Sequence, residues 1–148
     1  MRGLITALSR HDLTSRGTLT ARVAVWAALA DVVIVVVFAV IGRASHDEAV
    51  FGAGGLGLLE TSWPFLVALV VGWLVTLAWR RPLAPVRTGL GVWIVTVAGG
   101  MLLRGVSGQG TALAFVIVAS VTLFVLLVGW RTVFTVVVRA RARRDARR

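Results

Sequence analysis

The chain has 148 residues, of which 58% are hydrophobic and only 15% are charged, and its mean hydropathy is +0.92. Because an average soluble domain is about 45–50% apolar and about 25% charged, this composition excludes a water-soluble globular protein. All 16 basic residues are arginines, and they outnumber 6 acidic residues to give a net charge of +10. The chain contains no cysteine, so disulfides, thiolate metal sites and cysteine nucleophiles are excluded as well.

Four apolar stretches approach or reach the roughly 20 residues that a transmembrane helix requires. They predict an all-α polytopic membrane protein with four transmembrane helices in two hairpins. A basic segment (1–22) precedes a transmembrane domain (23–131), and a helical extension with an arginine-rich tail (132–148) follows it. The first apolar run is longer than the roughly 7–15 residues of a signal peptide, so we expect an uncleaved signal anchor. The predicted spans are 23–42, 61–79, 88–103 and 111–130.

The arginines indicate how these spans are oriented. With four spans, fourteen of the 16 arginines fall on one side, whereas Arg43 and Arg104 fall on the other. Arginine is enriched in cytoplasmic segments of membrane proteins, so both termini are predicted to be cytoplasmic. The expected location is the cell (inner or plasma) membrane, with multiple crossings.

Tryptophans give a further expectation about depth. Four of them lie within four residues of a predicted helix end, where an indole prefers the membrane interface. Trp73 and Trp93 lie deeper and are expected inside the bundle. Pro64 is expected in the first turn of the second helix, where the missing N–H costs little. The four interfacial tryptophans are Trp26, Trp63, Trp79 and Trp130.

Asp31 is the only charged residue inside the first span. A carboxylate near mid-bilayer costs about 2.5–3.5 kcal/mol on insertion scales, so we expect it to face the bundle interior. No residue at a similar predicted depth is basic, so Asp31 is expected to be protonated or to accept hydrogen bonds from hydroxyls and indoles. It either binds a proton or cation during transport or fixes helix register as a structural acid. The candidate intramembrane polar site comprises Asp31, Trp73, Thr96, Ser120 and Thr122.

Arg104 ends the shortest predicted span, whose 16 residues cover roughly 24 Å of helix, less than the roughly 30 Å hydrocarbon core. We expect its side chain to be drawn inward or to pair with Glu60 or Asp47. It either attracts anions at an outer mouth or anchors the helix at the interface. The candidate outer-mouth residues are Arg43, His46, Glu60 and Arg104.

Two other local patterns resemble binding motifs but do not predict a binding site. His46, Asp47 and Glu48 are adjacent and therefore point in different directions, so no metal site is expected. The glycine-rich run at 52–57 matches a nucleotide-binding pattern, but it lies in a loop of a helical chain, so no nucleotide site is expected.

A stripe of small residues follows one face of the second span, at Pro64, Ala68, Gly72 and Thr76. Such a stripe lets a neighbouring helix approach closely. We expect packing within the molecule, although a homodimer would use the same face.

The expected partners are membrane components. The tail at 139–148 holds six arginines, each of which contributes about 1 kcal/mol of attraction to an anionic leaflet. No aromatic interleaving or recognisable module accompanies this charge, so no nucleic acid is expected.

No cofactor and no catalytic residue is expected either, because Asp31, His46 and Arg104 lie at different depths. Two functions stay open: an ion-coupled small-solute transporter acting as a homo-oligomer, and an accessory subunit of a larger membrane complex.

Several short motifs in combination resemble a known family. They are Asp31 with Ile41-Gly42-Arg43-Ala44-Ser45-His46, then Trp63-Pro64-Phe65, Gly99-Gly100-Met101-Leu102-Leu103-Arg104, Gly108-Gln109-Gly110-Thr111-Ala112 and Gly129-Trp130-Arg131. Together they resemble the small prokaryotic membrane family known as domain of unknown function 3054, over roughly residues 23–131. The resemblance implies a compact four-helix integral membrane protein. It implies no activity and no catalytic residue.

Overall fold

The computed structural model describes residues 2–44, 52 and 56–147, with side chains described from residue 18 onward. Within these ranges the chain forms helices and turns, without a β-strand. A short 3-10 turn, Ala78–Arg80, follows the second helix, and a π-helical turn, Pro85–Leu90, runs directly into the third. The α-helices are α1 (Arg2–Ala44), α2 (Gly57–Val75), α3 (Gly91–Val106) and α4 (Leu113–Asp145).

Four helical segments of the described chain are long and apolar enough to cross a membrane, with hydropathies between 1.6 and 2.8. This confirms the all-helical class and the number of candidate spans, and it indicates a multi-pass membrane protein. The segments are Thr18–Ala44, Gly57–Val75, Pro85–Val106 and Leu113–Asp145.

The third span is longer than the sequence suggests. It covers Pro85–Val106, 22 residues, which correspond to about 33 Å of helix. Pro85 is accommodated at its first position, where no backbone N–H is needed, and the Thr88 hydroxyl donates to the Arg81 carbonyl at 2.7 Å. The prediction of a short third span is therefore wrong, and Arg104 lies in the last turn of a full-length helix.

Helix α2 is shifted towards its N-terminus relative to the predicted span. It begins at Gly57, so Pro64 lies inside the helix. The prediction that Pro64 lies in the first turn is therefore wrong. Proline donates no N–H, so the carbonyl of Glu60 lacks its usual helical partner. The helix ends at Val75 because Leu77 adopts a left-handed conformation with φ of 51°. The chain then turns across one end of the bundle towards Pro85.

Helices α2 and α3 pack closely through small residues. Pro64, Ala68 and Gly72 are buried, and a Cβ atom on Gly72 would lie 3.3 Å from the Val92 carbonyl oxygen. On the facing helix, a Cβ on Gly100 would lie 2.4 Å from the Phe65 ring. The small-residue stripe of α2 is therefore used in packing within the molecule.

The core at mid-bundle is aromatic and aliphatic. The rings of Phe38 and Phe65 meet edge to face with centroids 5.3 Å apart, and Phe115 lies 6.2 Å from Phe65. On α1, Phe38 falls between Asp31 and Arg43. The core therefore separates two polar regions at different heights in the bundle. Buried aliphatic residues complete it: Val35, Leu69, Val92, Leu123 and Leu127.

Helix α4 runs past the predicted limit of the fourth span at residue 130 and into the segment that was predicted as a helical extension. Its 33 residues correspond to about 50 Å, and the helix continues through Arg131 and the apolar residues at 132–138. This continuation places Arg131 inside a helix and not at its end, which decides the geometry of the interior site.

Candidate functional site

Asp31 of α1 and Arg131 of α4 form a buried ion pair in the bundle. The guanidinium Nη1 donates to Asp31 Oδ1 at 2.8 Å, and Nη2 donates to Oδ2 at 2.6 Å. Both side chains have no exposed surface. Two parallel N–H···O contacts of this kind fix distance and orientation together, which makes the pair strong and directional.

Two indoles complete the coordination of the carboxylate. Trp73 of α2 donates from Nε1 to Asp31 Oδ2 at 2.9 Å, and Trp130 donates to Oδ1 at 3.1 Å. Each carboxylate oxygen therefore accepts two hydrogen bonds, which fills the acceptor capacity of the group. A protonated acid would direct its own O–H against these donors, so the arrangement suits the ionised form.

The Arg131 guanidinium is also held by backbone carbonyls. Its Nε donates to Pro82 O at 3.0 Å, and Nη1 donates to Leu127 O at 2.8 Å. The guanidinium carbon lies 4.7 Å from the Trp130 ring centroid, and the Arg131 carbonyl accepts a hydrogen bond from the Thr135 hydroxyl. The cluster thus ties α1, α2 and α4 to the turn that follows α2.

The expectation that Asp31 has no cationic partner is wrong. Counting depth from the predicted helix ends placed Arg131 outside the membrane, among the cytoplasmic arginines. The structure buries it against Asp31 because α4 continues through this position. Trp130, expected at the interface, donates to Asp31 instead. The sequence does carry a signal for this burial, because Arg131 is a single charge followed by the apolar run 132–138.

Of the other members of the candidate intramembrane site, Trp73 donates to Asp31. Thr96 is fully buried in α3, and its hydroxyl has no hydrogen-bond partner among the described residues. The Ser120 hydroxyl donates to Val116 O at 2.6 Å, and its own carbonyl accepts from Trp93 Nε1 at 2.9 Å. Thr122 is half-buried on α4. The hydrogen bonds described for Ser120 thus join it to Val116 and Trp93 and not to Asp31.

A second polar region lies at the opposite end of the bundle. It is a cavity of about 510 Å³, referred to below as the Arg104 cavity. Both arginines predicted for the outer mouth, Arg43 and Arg104, line it. No carboxylate is among the described residues that line it. Neutral polar groups and an apolar wall complete the lining, among them Thr61, Gln109, Phe38, Phe115 and Val118.

Arg104 is positioned by the turn between α3 and α4. Its Nη1 donates to Gln109 Oε1 at 3.0 Å, its Nη2 donates to Gln109 O at 3.2 Å, and its Nε donates to Gly110 O at 3.3 Å. The guanidinium carbon also lies 4.4 Å from the Phe115 ring centroid, within cation–π range. Glu60, one of its two expected partners, is exposed and does not pair with it in the structure.

Arg43 is held on the facing side of the Arg104 cavity. Its Nη1 donates to Thr61 Oγ1 at 3.1 Å, and the Thr61 hydroxyl donates to Gly57 O at 3.0 Å. A Cβ atom on Gly57 would lie only 2.7 Å from Arg43 Nη2, so the glycine makes room for the guanidinium.

Metal ligation is not indicated within the described part of the chain, where no three histidine or acidic side chains come together. The adjacent residues His46, Asp47 and Glu48 lie outside the described residues. The same holds for Asp47 as an expected partner of Arg104.

Comparison with known proteins gives one match. A family model described as "Protein of unknown function (DUF3054)" matches residues 28–134, which include Asp31, Trp73, Arg104 and Arg131. No curated protein and no solved structure matches the chain. The family match covers more than half of the sequence and agrees with the resemblance of its motifs, so the chain belongs to the DUF3054 family.

Proposed function

We propose that this protein is an ion-coupled transporter of a small solute in the cell membrane, working as a homo-oligomer. The observation that carries the proposal is the contrast between the two ends of the bundle. One end opens into the Arg104 cavity, while beyond the aromatic core the bundle holds the buried pair of Asp31 and Arg131. We interpret the cavity as an open mouth and the ion pair as a closure, an arrangement that suits alternating access. No covalent chemistry is part of the proposal.

The ion pair supplies a physical route to coupling. Separating Asp31 from Arg131 leaves two buried charges, each with a desolvation cost of several kcal/mol. A proton on the Asp31 carboxylate and an anion beside the Arg131 guanidinium would neutralise both at once. The closure therefore opens at low cost only when a proton and an anion arrive together, which couples their movement.

In this proposal both termini are cytoplasmic. Arg22, Arg80, Arg81 and Arg87 are exposed beyond the Asp31–Arg131 level, and most of the tail arginines are exposed on the extension of α4. Arg43 and Arg104 belong to the opposite end. Such an imbalance of arginine favours the cytoplasm for the end with the greater number.

Cysteine labelling tests this orientation cleanly because the chain has no native cysteine. Single variants Ala146→Cys and Ser107→Cys place one thiol at each end of the bundle on exposed residues. In intact cells, a membrane-impermeant maleimide should label the Ser107→Cys variant. It should label the Ala146→Cys variant only after the cells are opened. The reverse pattern would contradict the proposed topology.

The transport proposal is tested with proteoliposomes, by uptake of a radiolabelled anion, because the movement of one proton with one anion carries no net charge and gives no current. Uptake of phosphate and of phenyl phosphate is measured with and without an inward proton gradient. We expect the gradient to accelerate wild-type uptake several-fold and to leave Asp31→Asn unaffected by it. Asp145→Asn, the same change at an exposed acid, should respond like the wild type.

Trp73→Phe serves as a second variant because it keeps both charges and removes one donor to Asp31. Because the carboxylate and its cation both remain, its proton-driven uptake should stay above that of Asp31→Asn. Wild-type liposomes without uptake above empty liposomes, or equal responses of wild type and Asp31→Asn to the gradient, would contradict the transport proposal.

An accessory role is the second candidate, favoured by the surface of α4. Beyond Arg131 this helix exposes Val133, Phe134 and Val136, with relative exposures of 64%, 45% and 60%. Large apolar side chains exposed together are typical of lipid or protein contact. Cross-linking in native membranes separates the candidates: a homo-oligomer of defined size supports transport, and recovery with one different membrane protein supports the accessory role.

A further inference from the structure

We infer that the Arg104 cavity is a binding site for an organic oxyanion, a carboxylate or phosphate group carried on a compact apolar body. This inference rests on the proposed transport function and names its substrate class. The cavity joins a guanidinium with unused donors to an apolar wall, and its volume of about 510 Å³ lies within the usual range of about 300–1,000 Å³ for small-molecule sites.

Among the described residues, Arg104 has no counter-ion. Each hydrogen bond that this guanidinium makes within the described chain goes to a neutral oxygen, on Gln109 or Gly110. Arg131, by contrast, meets a carboxylate. A cation held by neutral acceptors beside low-dielectric walls keeps its attraction for an anion, because no described residue in contact with it cancels its charge.

The remaining donors of Arg104 suit an oxyanion. A guanidinium has five N–H groups, and Arg104 uses three of them, one on each nitrogen. With respect to the described residues, one N–H therefore remains on Nη1 and one on Nη2, and both are donors of the kind that carboxylates and phosphates accept. The bonds to Gln109 and the Phe115 ring hold the planar group in place before a ligand arrives, which lowers the entropic cost of binding.

The rest of the cavity indicates what the anion is attached to. Phe38, Ala39, Phe115 and Val118 give it a largely apolar wall, and the Thr61 hydroxyl is one of the polar groups on the side of Arg43. Chloride would leave this wall in contact with water or empty space. A carboxylate or phosphate with an apolar body of several carbons would cover it and gain about 25 cal/mol per Å² of buried apolar surface.

Equilibrium binding tests this inference without any transport assay. The full chain is placed in nanodiscs of phosphatidylcholine and titrated calorimetrically with octanoate, and empty nanodiscs correct for partition into lipid. We expect saturable binding that weakens at least about tenfold in Arg104→Gln, the loss of about 1.4 kcal/mol that one charge-assisted contact supports. Arg87→Gln, at an exposed arginine of the opposite end, should bind like the wild type.

Gly42→Leu is a second variant that does not touch either arginine. Gly42 lines the cavity, and a Cβ atom added there meets nothing within 4 Å. A leucine should therefore fold well and occupy the space that the octanoate body needs. Octanoate binding should weaken at least about tenfold in this variant, whereas inorganic phosphate, which has no apolar body, should lose less.

The anion has two possible sources, and a second arm of the experiment distinguishes them. Protein purified from nanodiscs that contain phosphatidylglycerol is examined for retained lipid by native mass spectrometry. Octanoate binding that depends on Arg104 supports a free organic anion, and phosphatidylglycerol retained by wild type but lost in Arg104→Gln supports a lipid headgroup. No binding of either, or equal binding by wild type, Arg104→Gln and Gly42→Leu, would overturn the inference. Binding without any proteoliposome uptake would contradict the transport proposal alone.

Discussion

The two polar regions of this protein are both built on arginine, and they differ in what meets the guanidinium. Arg131 is fully buried and donates to a carboxylate, whereas Arg104 is partly exposed at a cavity and donates to neutral oxygens. In the first region both charges are cancelled and all acceptor sites of Asp31 are filled, so the cluster holds helices together. In the second the charge remains available, so the region is suited to a ligand. The group that accepts the hydrogen bonds of each guanidinium therefore determines what that arginine does.

The largest effect is expected where a buried charge loses its partner. Arg131→Gln leaves the Asp31 carboxylate buried without a cation, which typically costs about 3–5 kcal/mol. The free energy of unfolding is measured in mixed micelles by titration with a denaturing detergent. Arg104→Gln, the matched change at the open cavity, should lower it by less than about 1 kcal/mol. Similar losses in the two variants would remove the distinction drawn between the regions.

Replacing both members of the pair should recover much of that loss. The double variant Asp31→Leu with Arg131→Met leaves no buried charge, and such replacements are often neutral or stabilising. The indoles of Trp73 and Trp130 then lose an acceptor, so we expect recovery of at least about 2 kcal/mol relative to Arg131→Gln, not a full gain. The same unfolding titration measures it. A double variant as unstable as the single one would mean that packing volume, not charge, dominates the cluster.

Removing one neutral donor from the cluster should have an intermediate effect. Trp73→Phe deletes the 2.9 Å hydrogen bond to Asp31 Oδ2 while keeping an aromatic ring. Hydrogen bonds to charged groups contribute about 1.5–3 kcal/mol, so the free energy of unfolding should fall by about 2 kcal/mol. Trp26→Phe, at an indole that is 72% exposed, is the control and should stay within about 0.5 kcal/mol of the wild type. Equal losses of stability in Trp73→Phe and Trp26→Phe would show that the change of ring, and not the lost hydrogen bond, causes the effect.

The smallest effect is expected at the open cavity. Gln109→Ala removes the side-chain acceptor of Arg104, but the backbone carbonyls of Gln109 and Gly110 remain, and water reaches the cavity. The free energy of unfolding should change by no more than about 0.5 kcal/mol, as for other surface changes. A loss above about 2 kcal/mol would show that Arg104 is a structural residue like Arg131.

Much of the fold could be predicted from composition and the spacing of charges. Four apolar stretches bounded by arginines indicate four helices, because no other element satisfies backbone hydrogen bonds within lipid without closing a barrel. The helix ends were harder to predict. The third span begins at Pro85 and α2 ends before Leu77, and both limits depend on turn contacts such as the bond from Thr88 to the Arg81 carbonyl.

The two candidate sites also differ in how far they could be predicted from the sequence. Arg43 and Arg104 each follow an apolar run, and their presence at the same end of the bundle follows from hairpin topology alone. The partners of Asp31 do not follow from topology. Depth was counted along each helix separately from the ends of the apolar runs, and Arg131 was taken as the end of the fourth run. This count grouped Thr96, Ser120 and Thr122 with Asp31 and omitted Arg131.

By itself, the sequence determined the helical class, the number of candidate spans and the family, because these depend on hydropathy and on motifs within short segments. Only the tertiary structure decided that Asp31 meets Arg131, exactly one hundred positions further along the chain, and that Arg104 faces a cavity without a carboxylate among its described lining. The physical reason is that the charge state and role of an ionisable side chain depend on the donors and acceptors within a few ångströms, which helix packing brings together from distant parts of the chain.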